Sequence, residues 1–427
     1  MVAVDMFRTR NDKAMNPEAI RAGWLVDGSG GPVRENVRLR IHNGTIIDIR
    51  ETASEKTPQV QATDLAHCTL LPGLIDAHIH LCMSGTEDLA VRERQLHLTF
   101  GDIKAGIEER LGKLIESGVV ACRDGGDRHA FTMKYKRDHL DRKACPVQLK
   151  VAGAALHRPG RYGKLIGKAL EDSEGLGQSI CKDVRFIDHI KIINSGLNSL
   201  VCFGKETSPQ FDVAELTEAV AAGQRFGRKT MVHANGKKPV EIALKAGCHS
   251  IEHGFFMGVE NLKRMADRQV CWVPTVVTMK AYRDTFQQRG NTSRHRNRSE
   301  DASPLHTRNM IQVAERNLEH QLEQIRRAKE LGVTIALGTD AGSIGVHHGR
   351  SVGEELRLLM TAGFSIAGAV QCATMNGARL LNLDDYGVIA KGGAATFIAV
   401  PGPPRDLPDS LGRIRSLYIR GSEYRMG

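Results

Sequence analysis

Hydrophobic and polar positions follow different rhythms at the ends of the chain and in its middle. Over roughly the first 70 residues, "AIRAGWLVDGSGGPVRENVRLRIHNGTIIDIRE" alternates β-forming and polar residues, broken by turn signals at 27–31 and at Asn43-Gly44. A strand turns successive side chains to opposite faces, so this texture predicts short strands. From residue 70 to about 380 the rhythm changes to apolar runs separated by helical patterns. The runs lie at 70–77, 119–122, 147–155, 189–193, 230–233, 249–252, 270–277 and 333–337. Within 102–117, Ile103, Ile107, Leu111, Leu114 and Ile115 recur at helical spacing until Gly118 ends the pattern. Residues 212–226 (Asp212 as N-cap), 309–331 and 365–381 (opened by Ser365) repeat the plan.

Eight apolar runs alternating with helices over roughly 310 residues predict an α/β chain folded as a (β/α)8 TIM barrel, with functional groups at the C-terminal ends of its strands. The tail, "GVIAKGGAATFIAVPGPP", returns to short strands. The expected organisation is therefore a barrel over 70–382 and one small β domain built from 1–69 and 383–427. The irregular stretch 283–308 follows the seventh strand, where a lid or substrate loop would sit.

Composition narrows the classes. The chain is 41% hydrophobic and 25% charged, as in ordinary soluble globular proteins. Nothing approaches about 18 consecutive apolar residues, so no membrane span is expected. The first residues carry Asp5 and Arg8 where a signal peptide has its apolar core. The nine cysteines are scattered without a C-x-x-C pair, which suits reduced thiols in a cytoplasmic setting. A formal charge of +10 invites a nucleic-acid reading, but the basic residues are dispersed. Their one local concentration (Arg294, His295, Arg296, Arg298) has few aromatics to stack bases. No nucleic-acid or membrane partner is expected; attraction of a small anionic substrate is the better use of the charge.

The first apolar run, "LLPGLIDAHIHL", ends in His78 and His80, which share a strand face with Asp76. Taken alone, the pair is either a polar strand end or a pair of metal ligands. Later strand ends repeat the oddity: Lys191 in "DHIKIIN", His233 in "TMVHANG", His253 in "SIEHGFF" and Asp340 in "TIALGTDAG". A lone histidine at a strand end is usually a packed rim residue. Six such groups in register with the strands gather metal-competent chemistry at one rim.

These motifs, with "VPTVVTM" and "ATMNGARLL…GVIAKGGAATFIAV", resemble in order the amidohydrolase superfamily, and within it the imidazolonepropionase-like and Xaa-Pro dipeptidase-like branch. The resemblance implies a binuclear metal hydrolase with two divalent ions, zinc being the expected metal. It gives His78, His80 and Asp340 to the more buried ion, His233 and His253 to the outer one, and Lys191, N6-carboxylated, to both. An ammonium is a poor neighbour for such ions. At ~4 Å and an effective dielectric of ~20 a unit pair is worth about 4 kcal/mol, and a divalent ion doubles that repulsion. Carboxylation reverses the sign; the other reading is a lysine that points away or binds substrate as a cation. A hydroxide bridging the ions would attack the amide carbonyl, with Asp340 passing the proton to the leaving amine.

The match departs at the substrate end, where "SGLNSL" replaces a glycine pair and Asn235 replaces a tyrosine. Candidate substrate contacts are His157, Arg158, Arg161, Asn235 and His348, with Arg123, Asp124 and His347 as further rim residues. The expected activity is hydrolysis of a C–N bond in a small molecule, as a dipeptidase or N-acyl amino acid hydrolase. Three alternatives stand beside it: a mononuclear deaminase, a cyclic amide or urea hydrolase, and a non-catalytic structural relative. Deaminases of this fold generally lack the Lys191 equivalent, and silent relatives lose ligands that are all present here. A homo-oligomer is expected from the resemblance.

Overall fold

A computed structural model describes residues 18–52, 62–140, 145–171, 174–292 and 304–424. The alternating N-terminal stretch forms β1 (Glu18–Leu25), β2 (Arg34–His42), β3 (Thr45–Glu51) and β4 (Ala62–Pro72). The barrel strands are β5 (Leu74–Ile79), β6 (Val119–Asp124), β7 (Gln148–Val151), β8 (Ala155–His157), β9 (Gly167–Ala169), β10 (His189–Ile193), β11 (Lys229–Ala234), β12 (Ser250–His253) and β13 (Cys271–Val273). The tail adds β14 (Phe397–Pro401), β15 (Ser416–Ile419) and β16 (Ser422–Tyr424).

Both termini build one sheet, in the order β16-β15-β14-β4-β1-β2-β3. Its inward alternation buries Ile20, Leu25, Val37, Leu39 and Ile46 against Phe397 and Tyr418, whose rings stack at 4.7 Å. Leu70 and Leu71 pair with Ala399 and Ile398, so the apolar run from residue 70 serves two units. Its start completes the small sheet, and Gly73 passes the chain into the barrel. A Cβ at Gly73 would lie 2.5 Å from Val120, so only glycine fits that crossing.

The barrel is the predicted one with three irregularities. The third run, 147–155, splits: β7 pairs with β6, and β8 pairs with β10. Gly153, at φ +73°, makes the break between them. The eighth run closes the barrel through single parallel bridges, Trp272↔Ile335 and Ile79↔Ala341. Ala77 N–H donates to Leu337 O and Asp340 N–H donates to His78 O at 2.7 Å, while Leu337 N–H turns outward to Cys372 O. The helix expected over 365–381 is two, Ile366–Cys372 and Met375–Leu381. The carbonyls of Cys372 and Ala373 are taken by Leu337 and Ile75 of the barrel wall, which interrupts the helical ladder.

Other helices follow the pattern. Phe100–Glu116 buries the stripe Ile103, Ile107, Leu111, Leu114 and Ile115, and Asp212 caps Val213–Gln224 by accepting from Glu215 N–H. The stretch 283–308, expected to be irregular, is helical at both ends, in Val277–Thr292 and Pro304–Glu330. Buried Glu355 accepts from Val276 and Val277 N–H, anchoring the start of the first of these, and Lys280 pairs with Asp284 one turn on. Residues 293–303, with the basic cluster, lie outside the described residues, as does the N-terminal segment. All nine cysteines are free, and no helix among the described residues is long and apolar enough to cross a membrane.

Candidate active site

The six titratable residues at the strand ends converge inside the barrel mouth. A carboxylate or carbonyl oxygen can only accept, so the histidine partners fix the tautomers. His78 Nδ1–H donates to Glu252 at 2.9 Å, which leaves Nε2 facing Lys191 Nζ at 3.3 Å and Asp340 Oδ1 at 3.5 Å. His80 Nδ1–H donates to Gly126 O at 2.8 Å, and its Nε2 lies 3.3 Å from the same Asp340 oxygen. His233 Nε2–H donates to Gly196 O at 3.1 Å and so presents Nδ1. His253 holds Thr275 Oγ1 at 2.7 Å through Nδ1 and presents Nε2. Ring centroids of His78 and His253 are 5.0 Å apart, and those of His233 and His253 4.6 Å.

Backbone strain places these groups. His253 (φ +66°), Thr275 (φ +46°) and Asp340 (φ +58°) are in the left-handed region, which non-glycine residues rarely adopt. Strict alternation would turn Glu252 and His253 to opposite faces, yet both reach His78; the positive φ at His253 allows it. Gly125 is equally required, because a Cβ there would meet His80 Cε1 at 2.7 Å.

Burial, then the Lys191 charge, holds His78 well below its usual range, and burial lowers His233 to about 4 and His253 to about 3. At His80 burial works the same way, but the Asp340 carboxylate outweighs it and raises the ring. Asp340 stays well below the carboxylate range: burial opposes ionisation, and the bond to His80 with the nearby imidazoles overrides it. Burial lowers Lys191 to about 8, against Glu252 and Asp340. The donor atoms of His78, His80 and Asp340 lie within 4.8 Å of one another. Imidazole lone pairs beside an ionised carboxylate, with ring orientations fixed from behind, form a donor set that fits a divalent cation of the zinc class.

Two residues read as rim groups are structural supports instead. Arg123 points into the barrel, donating to Ala77 O at 2.7 Å, Ser250 Oγ at 3.0 Å and Glu252 at 2.9 Å. Asp124 accepts from Leu81 and Gly126 N–H. Asp76 ties β5 to the eighth segment by accepting from Thr339 N–H and Oγ1–H, and it also accepts from His78 N–H at 3.3 Å. Glu252 was not among the expected residues. Its signal was a carboxylate in an apolar, buried strand, which demands a partner.

In front of the cluster is a cavity of about 150 Å³ lined by Arg92, Tyr162, Asn235, Met279 and Tyr282 among others. Of the five expected substrate contacts, the structure brings Asn235 alone to it. Arg158 is instead ion-paired with Glu215, and Arg161 donates to Ser208 O at 2.8 Å. His157 is buried against Gly163 and donates Nδ1–H to Arg158 O. His348 lies behind the cluster, its Nε2–H donating to His80 O at 3.2 Å, and His347 lines a separate surface cavity. The loop after β8 thus docks on Val213–Gln224, and its arginines do not reach the mouth. Arg92, half-buried and donating to Gly342 O at 2.9 Å, is the cation beside the cluster that the sequence pattern did not single out.

Residues 69–421 match the Amidohydrolase family. The chain is 23% identical over 359 residues to an uncharacterised protein of Mycobacterium tuberculosis, covering 83% of this chain and 85% of that one. It is 25% identical over 286 residues to ochratoxinase of Aspergillus niger, covering 60% and 58%. Among solved structures, a Xaa-Pro dipeptidase with methionine in its active site superposes with a TM-score of 0.74 at 26% identity, over 96% of this chain and all of that one. The A. niger ochratoxinase structure gives 0.73 at 21% identity, over 96% of each chain.

Proposed function

The chain belongs to the amidohydrolase family, and from that premise we propose that it hydrolyses the amide bond of an N-acyl amino acid or dipeptide-like small molecule at a two-ion centre. It is a hydrolase acting on carbon–nitrogen bonds. In this reading His78, His80 and Asp340 hold one divalent ion and His233 and His253 the other, with zinc the first metal to test. The observation that carries it is the convergence of these side chains, with the lone pairs of His78, His80 and His233 turned inward by Glu252, Gly126 and Gly196.

Such ions, when bound, supply Lewis acidity, polarising a carbonyl and making water a nucleophile near neutral pH. Asp340, held ionised, takes the proton of the attacking water and delivers it to the departing nitrogen, a role worth about 10²–10⁴-fold. Lys191 adds to CO₂ through its amine and releases a proton. The resulting carbamate puts an anion where two cations need one. Arg92, which lines the cavity that Arg158 and Arg161 do not reach, binds a substrate carboxylate, and Asn235 lines the same cavity; the +10 charge favours anionic substrates.

Metal analysis of purified protein tests the centre: about two ions per chain are expected, and about one would favour the mononuclear deaminase. Lys191→Ala should lose at least one ion and nearly all turnover, with partial rescue by short carboxylic acids and bicarbonate. A variant that keeps two ions and most of its turnover refutes the bridge. A panel of N-acyl amino acids, dipeptides, cyclic amides and aryl ureas then ranks the substrates. Turnover of ureas or lactams far above any carboxylate-bearing amide refutes the peptidase-like part.

A further inference from the structure

Arg92 is carried by a strap, residues 86–98, in which no residue is buried and Leu89 is 56% exposed. Both flanks are pinned. Gly85 O accepts from Gly345 N–H at 2.8 Å, and a Cβ on Gly85 would collide with Val346 O. At the other end Thr99 N–H donates to Asp102 at 3.0 Å, opening helix Phe100–Glu116, which buries Ile103 and Ile107. Within the strap, Asp88 accepts from Ala90 and Val91 N–H and keeps Leu89–Gln95 helical. Arg92, Gln95 and Leu96 stand at helical positions i, i+3 and i+4, so they share a face. Arg92 lines the catalytic cavity, and Gln95, Leu96 and Leu98 line a second chamber of about 280 Å³. Met83, Phe131 and Ile166 face them across it, and Arg128 and Lys164 also belong to its lining.

A segment with solvent on one side and a chamber on the other lacks the close packing of a protein interior. Few buried apolar contacts mark the parts of a native structure that open most easily. Movement inward has something to gain, because half-buried Leu96 and Leu98 lose water against Phe131 and Ile166. It also has a cost, which sets the trigger. Arg92, half-buried and donating to Gly342 O at 2.9 Å, sinks with the helix and gives up water. That is unfavourable for a cation without a counter-charge, and a carboxylate in the catalytic cavity supplies one.

We propose that residues 86–98 form a lid that a substrate carboxylate closes: the strap sinks into the chamber and brings Arg92 down on the anion. An anionic substrate is then enclosed, whereas a neutral analogue leaves the lid open. The inference rests on the amide-hydrolase reading for the carboxylate that Arg92 meets, and adds how the site responds to it.

Hydrogen exchange of the zinc-loaded full chain, read by mass spectrometry over 86–98, tests the lid. The probes are L-phenylalanine and L-phenylalaninamide, which differ in the carboxylate and need no turnover. In the free chain the strap amides should exchange at least tenfold faster than those of Phe100–Glu116. Excess L-phenylalanine should slow them at least tenfold, and the amide less than twofold. Arg92→Met should abolish the slowing. Leu96→Asn, which keeps the cation but spoils the apolar seat, should remove most of it, and circular dichroism checks the fold of both variants. A strap already as protected as Phe100–Glu116, no slowing by L-phenylalanine, equal slowing by its amide, or full slowing in either folded variant overturns the lid. Turnover of N-acetyl-L-phenylalanine is measured separately; its absence counts against the amide-hydrolase reading alone, because the lid is judged on exchange.

Discussion

Glu252→Gln is the most informative single change, because one buried carboxylate serves three neighbours. Its oxygens accept from His78 Nδ1–H at 2.9 Å, Arg123 at 2.9 and 3.1 Å, and Ser250 Oγ–H at 2.5 Å, with no solvent access. A glutamine has one accepting oxygen where the glutamate has two. If the amide nitrogen faces His78, the imidazole proton must move to Nε2, the atom that looks toward Asp340, and its lone pair no longer points into the site. Loss of such an orienting partner weakens metal binding about 10–100-fold, or about 1.4–2.7 kcal/mol at 1.36 kcal/mol per decade. Separately, Arg123 keeps its charge in the barrel without a counter-ion, which costs about 3–5 kcal/mol of stability. The two effects can be separated. Urea unfolding of the metal-free protein reads the second, and chelator competition for zinc reads the first. Adding Arg123→Met should recover much of the stability and none of the metal affinity. Zinc affinity within twofold of wild type in Glu252→Gln would refute the tautomer argument and leave Glu252 as a counter-ion to Arg123 only.

Asp340→Asn keeps an oxygen for ligation but removes the base, so kcat should fall by at least about 10²-fold while metal content falls less; an unchanged kcat moves proton transfer elsewhere. Arg92→Met should erase the advantage of a free carboxylate over its neutral amide in matched substrates, and an advantage that survives removes Arg92 from substrate binding. Burial pushes Glu355 up to about 8 against the N–H groups of Val277 and Val276. A raised carboxyl binds its proton more tightly when folded, so its contribution to stability declines as pH rises from the unfolded value through about 8. Tm of the metal-free protein should therefore fall less between pH 5 and 8 in Glu355→Gln than in wild type, and parallel curves would show that Glu355 does not titrate in that window.

What the sequence makes legible here is whatever its periodicity carries. The ligand candidates stand at the ends of apolar runs, and those runs do form the barrel wall, so strand rhythm alone brings His78, His80, Lys191, His233, His253 and Asp340 to one rim. Arg92 lies on the short helix Leu89–Gln95 inside a loop, where no period assigns a direction. Arg158 and Arg161 lie near the rim in sequence, but Glu215 and the Ser208 carbonyl are within reach, and pairing there draws them off the cavity. The eighth run is apolar like a strand, yet its neighbours are spaced so that single bridges close the barrel where a ladder was expected.

Glu252 was hidden for a sharper reason, and it bears on how the site is held. Period-two reasoning sets Glu252 and His253 on opposite faces, and it fails because His253 is left-handed. Thr275 and Asp340 share that conformation, at a cost of about 1–3 kcal/mol each. Nothing local favours it: a threonine at φ +46° is β-branched and crowded. The compensation is in the surroundings, where His253 O accepts from Trp272 Nε1–H at 3.0 Å and from Gln321, and Asp340 N–H donates to His78 O across the barrel seam. The backbones of His253 and Asp340 are thus held by protein hydrogen bonds and not by their own side chains. A centre assembled this way is preorganised, and substitutions at Trp272 or Gln321, which touch no candidate ligand side chain, should loosen it through the His253 backbone.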